Sequence, residues 1–539
     1  MQTTYGSGGA YEPEKLELLG RRRIFTDVDK ITAENIIQVL QEALIVHEQN
    51  RADIRYLLNY EKGTQPLMRK KTIRPDINIE VCDNIANQIV EFKLGYHWGN
   101  PKSFVQRGDR DLSSNDPDND DDAITLLNQM NEAEQSFRKD QELARYIEIC
   151  GIGYQMIDIK RDYEQGGSVF DLFTLNPMYS FIVYRNDIYN TPMMSVTYRQ
   201  LKAGTRYFTC TTDDRRYEIR DTVEIVNSTK KETWSQGERS GEKNPLGRIP
   251  VVEFIRAFDR MGVFERQIPD MDALNIEVSD FCNACAQATQ EIWWMNDADF
   301  PPDPETGEKT SPRSGQWIRT KTTGNGKPDI KPLSSTFSYA GVQNNILTKR
   351  DIILQKCYVP LQTDPGGGST ASAMSMSSGW SAAEAVAAKQ EDIIRGSVMQ
   401  IVELELLAIR KSFHLPQDHV LRDLKVSDIQ PKFTRQKTFD LGTKTNSFVT
   451  LVKAGVNGRV AMQVVDLFPD IAQAWADSRE TIELFQMAVS TKGLPQISDG
   501  KIMSDTSDQA VNSPLLDGAA TGADYSAGGE EMTNGNIAV

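Results

Sequence analysis

The chain has 539 residues and a formal net charge of −16, with 39% hydrophobic and 25% charged residues. That is ordinary globular composition, which excludes wholesale disorder, and the length suggests about three domains. No run reaches the ~18 uninterrupted apolar residues that a membrane helix needs, and the acidic balance argues against a protein that coats nucleic acid, because tight phosphate contact needs surplus Lys and Arg.

In chain order, the N-terminus opens polar and glycine-rich, without the apolar core of a secretory signal, and residues 1–30 read as a polar arm ending in Arg21-Arg22-Arg23. Apolar residues at spacings of three and four predict a helix over 33–58, and Val81, Ile85, Ile89, Val90 and Phe92 predict another over 80–95. An acidic, proline-containing stretch fills 109–122, and a helical segment follows at 123–149. From 154 to 226 short β-branched and aromatic runs separated by Asn, Asp, Gly and Pro predict strands. The polar stretch 227–247 reads as a mobile loop, and Pro250–Ile255 as one more strand.

Met271, Leu274, Val278, Phe281, Cys285, Ala288 and Ile292 alternate at spacings of three and four. This sustained seam predicts a helix over 264–295, about 45–50 Å long, that invites packing against copies of itself. Its charges are lopsided, with Glu265, Asp270, Asp272, Glu277, Asp280 and Glu291 against Arg266. Residues 296–336 break the periodicity with prolines and glycines, carry a possible strand at 317–320, and are more basic. A helix over 337–358 follows, so two helices flank an insertion of about forty residues as a hairpin with a small module at its tip. The uncharged Gly, Ser and Met stretch 365–379 reads as flexible chain. Ser381 and Glu384 form a capping-box pattern opening a helix to about Phe413, shorter helices follow between 443 and 489, and the tail beyond 491 reads as disordered.

Nothing selects a catalytic residue, cofactor or metal. There is no P-loop, dinucleotide fingerprint, H-E-x-x-H or nucleophile elbow. Asp116, Asp118 and Asp120 have calcium-loop spacing, but Asp121 replaces the glycine and Leu127 the closing glutamate. Six scattered cysteines fit a reducing compartment, and Cys282 and Cys285, a lone C-x-x-C, read as two small buried residues on one helix face rather than a zinc site.

Several stretches resemble the portal proteins of long-tailed bacteriophages, of the type found in phages of Gram-positive hosts. They are Tyr56–Gly63, Arg69-Lys70-Lys71, Asn84-Ile85-Ala86, Lys93-Leu94-Gly95-Tyr96 with Gly99 and Pro101, Gly151–Tyr154, Leu175-Asn176-Pro177, Asn244–Phe254, and Ser378-Gly379 ahead of a long helix. The resemblance runs over roughly 50–485. It implies an α+β portal fold with an α/β wing at 1–262, a first stem helix at 263–295, a small clip module at 296–336 and a second stem helix at 337–359. A tunnel loop at 360–381, a long helix at 382–414 joining wing to crown, a helical crown at 415–490 and a disordered tail at 491–539 complete it.

The same resemblance implies a homo-oligomeric ring, twelvefold in the family, at one capsid vertex of the virion, assembled in the host cytoplasm, with no enzyme activity, cofactor or membrane. Double-stranded DNA passes through the ring during packaging and ejection. The expected partners are the terminase large subunit, a head-completion or adaptor protein, and the major capsid and scaffolding proteins. The stem's acidic face, Asp270, Asp272, Glu277 and Asp280, is expected to line the channel and repel phosphates over a Debye length of about 8 Å. Ser369, Ser372, Met374, Ser375 and Met376 would lie near the DNA in the tunnel loop, and Arg313, Trp317, Arg319 and Lys321 would form the clip's docking surface. Two other readings compete: a minor head or tail component of the virion, and a metal-dependent nuclease using the carboxylates of 109–122.

Overall fold

In a computed structural model the described residues are 20–66, 78–107, 123–162, 167–201, 205–226, 229–288, 293–296, 298–299, 321–322, 329–332, 338–361, 379–433, 441–465, 474–475 and 478. The chain forms two compact units, Met1–Phe439 and Asp440–Val539. The first mixes helices and sheets in an α+β arrangement around three apolar clusters.

The largest sheet has seven strands. β1 (Ile24–Thr26) lies parallel to β5 (Ser180–Arg185), and β6 (Pro192–Gln200), β7 (Arg206–Thr211) and β8 (Arg215–Val226) continue it antiparallel. The long helix α1 (Ile36–Glu61) covers one face with Val39, Leu40 and Leu44 against Phe181, Val196 and Phe208. Its C-terminal half, with Ile54, Leu57 and Tyr60, enters a different cluster, so one rod of about 39 Å ties two cores together. Beyond β8 come β9 (Thr229–Gln236) and β10 (Glu242–Lys243), both paired with β8. The loop expected at 227–247 is therefore a β-ribbon over 229–243. Its charged residues suit a two-stranded extension, and Trp234 anchors it by stacking on Phe208 with ring centroids 5.6 Å apart.

A three-stranded antiparallel sheet takes β11 (Val251–Ile255), β3 (Ile152–Ile159) and β4 (Phe170–Leu175) in that order. The expected helix at 123–149 is two helices, α3 (Ala123–Ala133) and α4 (Ser136–Cys150), broken where Gln135 takes a positive φ of 53°. Gly151, at φ 76°, ends α4, and a Cβ there would stand 2.4 Å from the Arg260 carbonyl oxygen. Only glycine suits both demands. α7 (Trp380–Lys411, numbered after the hairpin helices α5 and α6 below) packs on this sheet with Ile394, Val398, Ile401 and Val402 buried. Its N-cap is Gly379 in the left-handed region, so the capping box expected at Ser381 and Glu384 does not form. Glu384 instead accepts a hydrogen bond from the Tyr96 hydroxyl on α2 (Ile85–His97). β2 (Ser103–Gln106) pairs with β16 (Ile429–Lys432) at the edge of the same core.

The expected 264–295 helix is shorter. It begins with a 3-10 turn at Glu265–Gln267, continues as α5 (Ile268–Ala288), and gives way to β12 (Trp293–Asn296). The bulky Trp293-Trp294-Met295 run favours a strand over the continued heptad and pairs antiparallel with β15 (Asp329–Pro332), while β13 (Ala298–Asp299) pairs with β14 (Lys321–Thr322). α6 (Tyr339–Lys356) returns alongside α5. At ~1.5 Å per residue α5 spans about 31 Å rather than 45–50 Å.

In the second unit α8 (Leu441–Lys453) packs on α9 (Gly458–Val465), with Val452, Ala461 and Met462 buried. The expected tail beyond 491 lies outside the described residues.

Candidate functional site

The α5–α6 hairpin is rooted in the cluster that α1 and α2 build. Met271 and Leu274 of α5 are buried there with Ile353 and Leu354 of α6, Tyr60 and Ile89. The first turns of the apolar seam therefore serve the chain's own core rather than contact between copies. Farther out, Phe281 meets Tyr339 edge-on at 6.3 Å.

The acidic residues of α5 do not form one free face. The Asp270 carboxylate accepts from Lys356 Nζ at 2.6 Å, and Glu277 pairs with Lys349 and accepts from Asn345 Nδ2 at 3.3 Å. Both acids and both lysines are seven residues apart, two turns each, so the antiparallel helices meet as a ladder of ion pairs. Asp272 points elsewhere. It accepts from the Tyr60 hydroxyl at 2.7 Å, and burial pushes its carboxyl up to about 6 against the pull of that bond. Asp280 is half-buried on the same helix. Four carboxylates on α5 face three cations and one carboxylate on α6, which leaves the hairpin at −2.

Glu265, just before α5, is buried against Arg21 and accepts from the Gly262 backbone N–H at 2.8 Å. Burial pushes its carboxyl up, and Arg21 pulls it back.

A second stripe on α5 was not legible in the charge count. Asn275, Ser279 and Asn283 stand four residues apart and bind the extended segment 78–83 along the helix. Asn283 accepts from the Ile79 N–H at 2.8 Å and donates to its carbonyl at 3.0 Å. The Ser279 hydroxyl accepts from Val81 N–H at 3.0 Å, and Asn275 accepts from Asp83 N–H at 3.0 Å while donating to Gln65 at 2.6 Å. Four helical residues rise about 6.0 Å and two extended residues about 6.6 Å, so the two repeats stay in step. The sequence signal was three small polar residues at i, i+4 and i+8 of a helix. Each truncation leaves a backbone group unpaired, so Asn283→Ala should cost about 1–3 kcal/mol and speed amide exchange at Ile79 at least ~tenfold relative to β5. Unchanged exchange at 79–83 would mean that the strap is held by something else.

α6 is fastened on its other side by Arg350, which donates to Gln88 at 2.9 Å and lies 3.5 Å from Asp83. The Lys93 ammonium, almost fully buried, donates to the Tyr358 carbonyl at 3.2 Å, and burial pulls it down to about 8. The hairpin is thus a stiff, weakly acidic rod set in a rigid base.

Lys321, the first residue of β14, stands opposite Asp299. Arg313, Trp317 and Arg319, the residues Ser369, Ser372, Met374, Ser375 and Met376, and Asp116, Asp118 and Asp120 lie outside the described residues. Cys282 and Cys285 are half-buried rather than buried, and both are free. Among the described residues no group of three or more His, Cys, Asp or Glu could hold a metal, and no helix is long and apolar enough to cross a membrane.

The profile of a family described as phage portal protein, SPP1 Gp6-like, matches residues 46–463. No curated protein matches the chain. Among solved structures, a chain from "Neck of native GTA particle computed with C12 symmetry" is similar over 78% of this chain and 94% of its own, at 9% identity and a TM-score of 0.38.

Proposed function

The chain belongs to the SPP1 Gp6-like family of phage portal proteins, and on that premise we propose that copies of it close into a ring at one capsid vertex, the conduit for double-stranded DNA during packaging and ejection. The family is structural and not enzymatic, which removes the nuclease reading. The match over 46–463 carries the proposal. In this reading the wing runs to about 262, α5 and α6 are the stem, the paired strands between them belong to the clip, 360–381 is the tunnel loop, and 415–490 is the crown. The long helix 382–414 joins wing to crown. Twelve copies per ring, clip docking of the terminase large subunit and later of an adaptor through Arg313, Trp317, Arg319 and Lys321, and contacts with capsid and scaffolding proteins are parts of the same proposal.

The physical support lies in the hairpin. A conduit for a polyanion must lack deep binding wells, and a ring of rods each at −2 supplies weak repulsion. Asp270, Asp272, Glu277 and Asp280 are proposed to set the sign of the bore's field. Asp270 and Glu277 share their charge with Lys356 and Lys349, and Asp272 is tied to Tyr60, so the field is weaker than four bare carboxylates would give. The uncharged Ser369–Met376 loop would touch DNA only weakly.

Electron microscopy and native mass measurement of the purified protein test the ring. Closed rings with an axial hole are expected, and a mass that stays at one protomer overturns the reading. Asp280→Lys should assemble normally yet cut the yield of DNA-filled heads several-fold, scored by sedimentation. Normal filling would remove the repulsive lining while leaving the ring intact.

A further inference from the structure

The turn joining β5 to β6 is fixed by the backbone around it. The Arg185 N–H donates to the Thr191 carbonyl at 2.8 Å, and Asn190, at φ 49°, donates its N–H to the Asp187 carbonyl at 3.2 Å. The Tyr189 N–H reaches Asp187 Oδ1 at 3.0 Å, while Asn186 donates its N–H to the Thr26 carbonyl at 3.0 Å and its Nδ2 to Asp27 at 2.8 Å. A turn held this way cannot fold its side chains inward. Ile188 is 88% and Tyr189 85% exposed. Single exposed apolar residues are ordinary, but two adjacent large ones on a rigid tip form a preorganised contact. The rim around them carries three acids, Asp27 and Asp29 exposed and Asp187 half-buried, against two cations, Arg185, which pairs with Asp29 at 3.2 Å, and the exposed Lys30, 3.6 Å from Asp214.

The opposite end of the same strands carries the complementary chemistry. Arg199, Tyr207 and Arg220 are register neighbours across β6, β7 and β8, on the sheet face turned away from α1. The two guanidinium groups lie over the Tyr207 ring at 5.5 and 4.7 Å, and both arginines are exposed. From Pro192 to Arg199 is about 23 Å of strand at ~3.3 Å per residue, so tip and arginine face sit at two ends of one rigid sheet.

We propose that the Ile188–Tyr189 tip of one copy docks on the Arg199–Tyr207–Arg220 face of the next copy. The carboxylates of the tip would meet guanidinium groups whose planar forks match them, and Tyr189 would stack on an already ordered cation and ring. Two different faces that fit each other make a heterologous contact, the kind that closes a ring when its rotation permits. A self-complementary patch would stop at a dimer. The inference rests on the ring reading above, and its test separates the two.

Ile188→Asp with Tyr189→Asp changes only solvent-exposed side chains, so circular dichroism should match the unaltered chain while the fraction of protein in rings falls at least ~tenfold. Arg220→Glu should weaken assembly in the same way, and Arg220→Glu combined with Asp29→Lys should recover part of it. Rings from the unaltered chain with undiminished rings from the tip variant would overturn this contact and leave the ring reading standing. Loss with the tip variant but not with Arg220→Glu would overturn the arginine face as its seat. No rings from the unaltered chain would overturn the ring reading itself.

Discussion

Glu253→Ala should be severely destabilising, with an expected loss of about 3–5 kcal/mol. Glu253 is almost fully buried on β11 and accepts two bonds from the Arg260 guanidinium, both at 2.7 Å, with the hydroxyls of Tyr154 at 3.0 Å and Tyr184 at 3.2 Å. Burial alone would push this carboxyl up, yet Arg260 and the hydrogen bonds hold it below the usual range, so it stays charged. Removing it strands a buried guanidinium and two hydroxyls at once. A domain typically has about 5–15 kcal/mol in all, so the variant should show a large fall in melting temperature or fail to accumulate in soluble form. Glu253→Leu combined with Arg260→Met should lose less than Glu253→Leu alone, because a buried pair exchanged for apolar groups costs little while a broken pair costs much. A single variant that melts with the unaltered chain would refute the argument.

The consequence reaches the hairpin. Tyr184 belongs to the large sheet and Tyr154 to the small one, so Glu253 joins the two. Arg260 Nε also donates to the Arg21 carbonyl, and the Arg21 side chain pairs with Glu265 just before α5. Three segments, around Tyr154, Tyr184 and Glu253–Arg260, meet at one carboxylate, and Arg260 ties in a fourth at Arg21. A protein whose proposed work is to hold a narrow bore against a moving polyanion needs its rods anchored in such a base.

Periodicity made the helices legible, because a helix facing one core writes its apolar residues every three or four positions. α1 was readable this way, and so was the pairing of α5 with α6 around an aperiodic insertion, whereas α7 was expected from a capping box that does not form. The strand at Pro250–Ile255 was equally plain from its β-branched run. The ends were less plain. The helix was expected to run to 295, but from Trp293 the chain is a strand, and bulky aromatics satisfy either pattern until a partner such as Ile330 is known. The ribbon of β9 was invisible for the opposite reason: its charged residues carry no apolar alternation, and its order comes from β8.

The candidate site shows the same division. Four acids on α5 could be counted in the sequence, but Lys349 and Lys356 that answer them stand 72 and 86 residues away. A charge count on one helix therefore overstated the field that the hairpin presents. Asn275, Ser279 and Asn283 were overlooked because small polar residues on a helix suggest solvent, and only the partner strand gives them meaning.

Glu405→Gln should stabilise the protein, and only above a definable pH. Glu405 sits fully buried on α7, and burial pushes its carboxyl up to about 7, with the Lys102 charge and the Asn131 hydrogen bond pulling down and Asp140 pushing up. Its neighbours explain why a proton is welcome. Asn131 Nδ2 donates to one carboxylate oxygen at 3.3 Å, Lys102 is committed to Asp140 at 2.6 Å, and Gln155 donates to Asp140 at 3.0 Å. Glu405 Oε1, Asn131 Oδ1 and Gln155 Oε1 are buried with no donor among the described residues. The unfolded chain releases the Glu405 proton near pH 4.5, whereas the folded chain keeps it to about pH 7. Between those values the folded state holds a proton that the unfolded state has lost, so stability falls as pH rises through that window, by about 3 kcal/mol in full. Gln cannot ionise. The melting temperatures of Glu405→Gln and the unaltered chain should nearly coincide at pH 4.5 and diverge steadily to pH 8, with the variant higher. Parallel curves across that range would show that Glu405 is charged in the folded protein at all of these values, and that Lys102 rather than a proton satisfies the cluster.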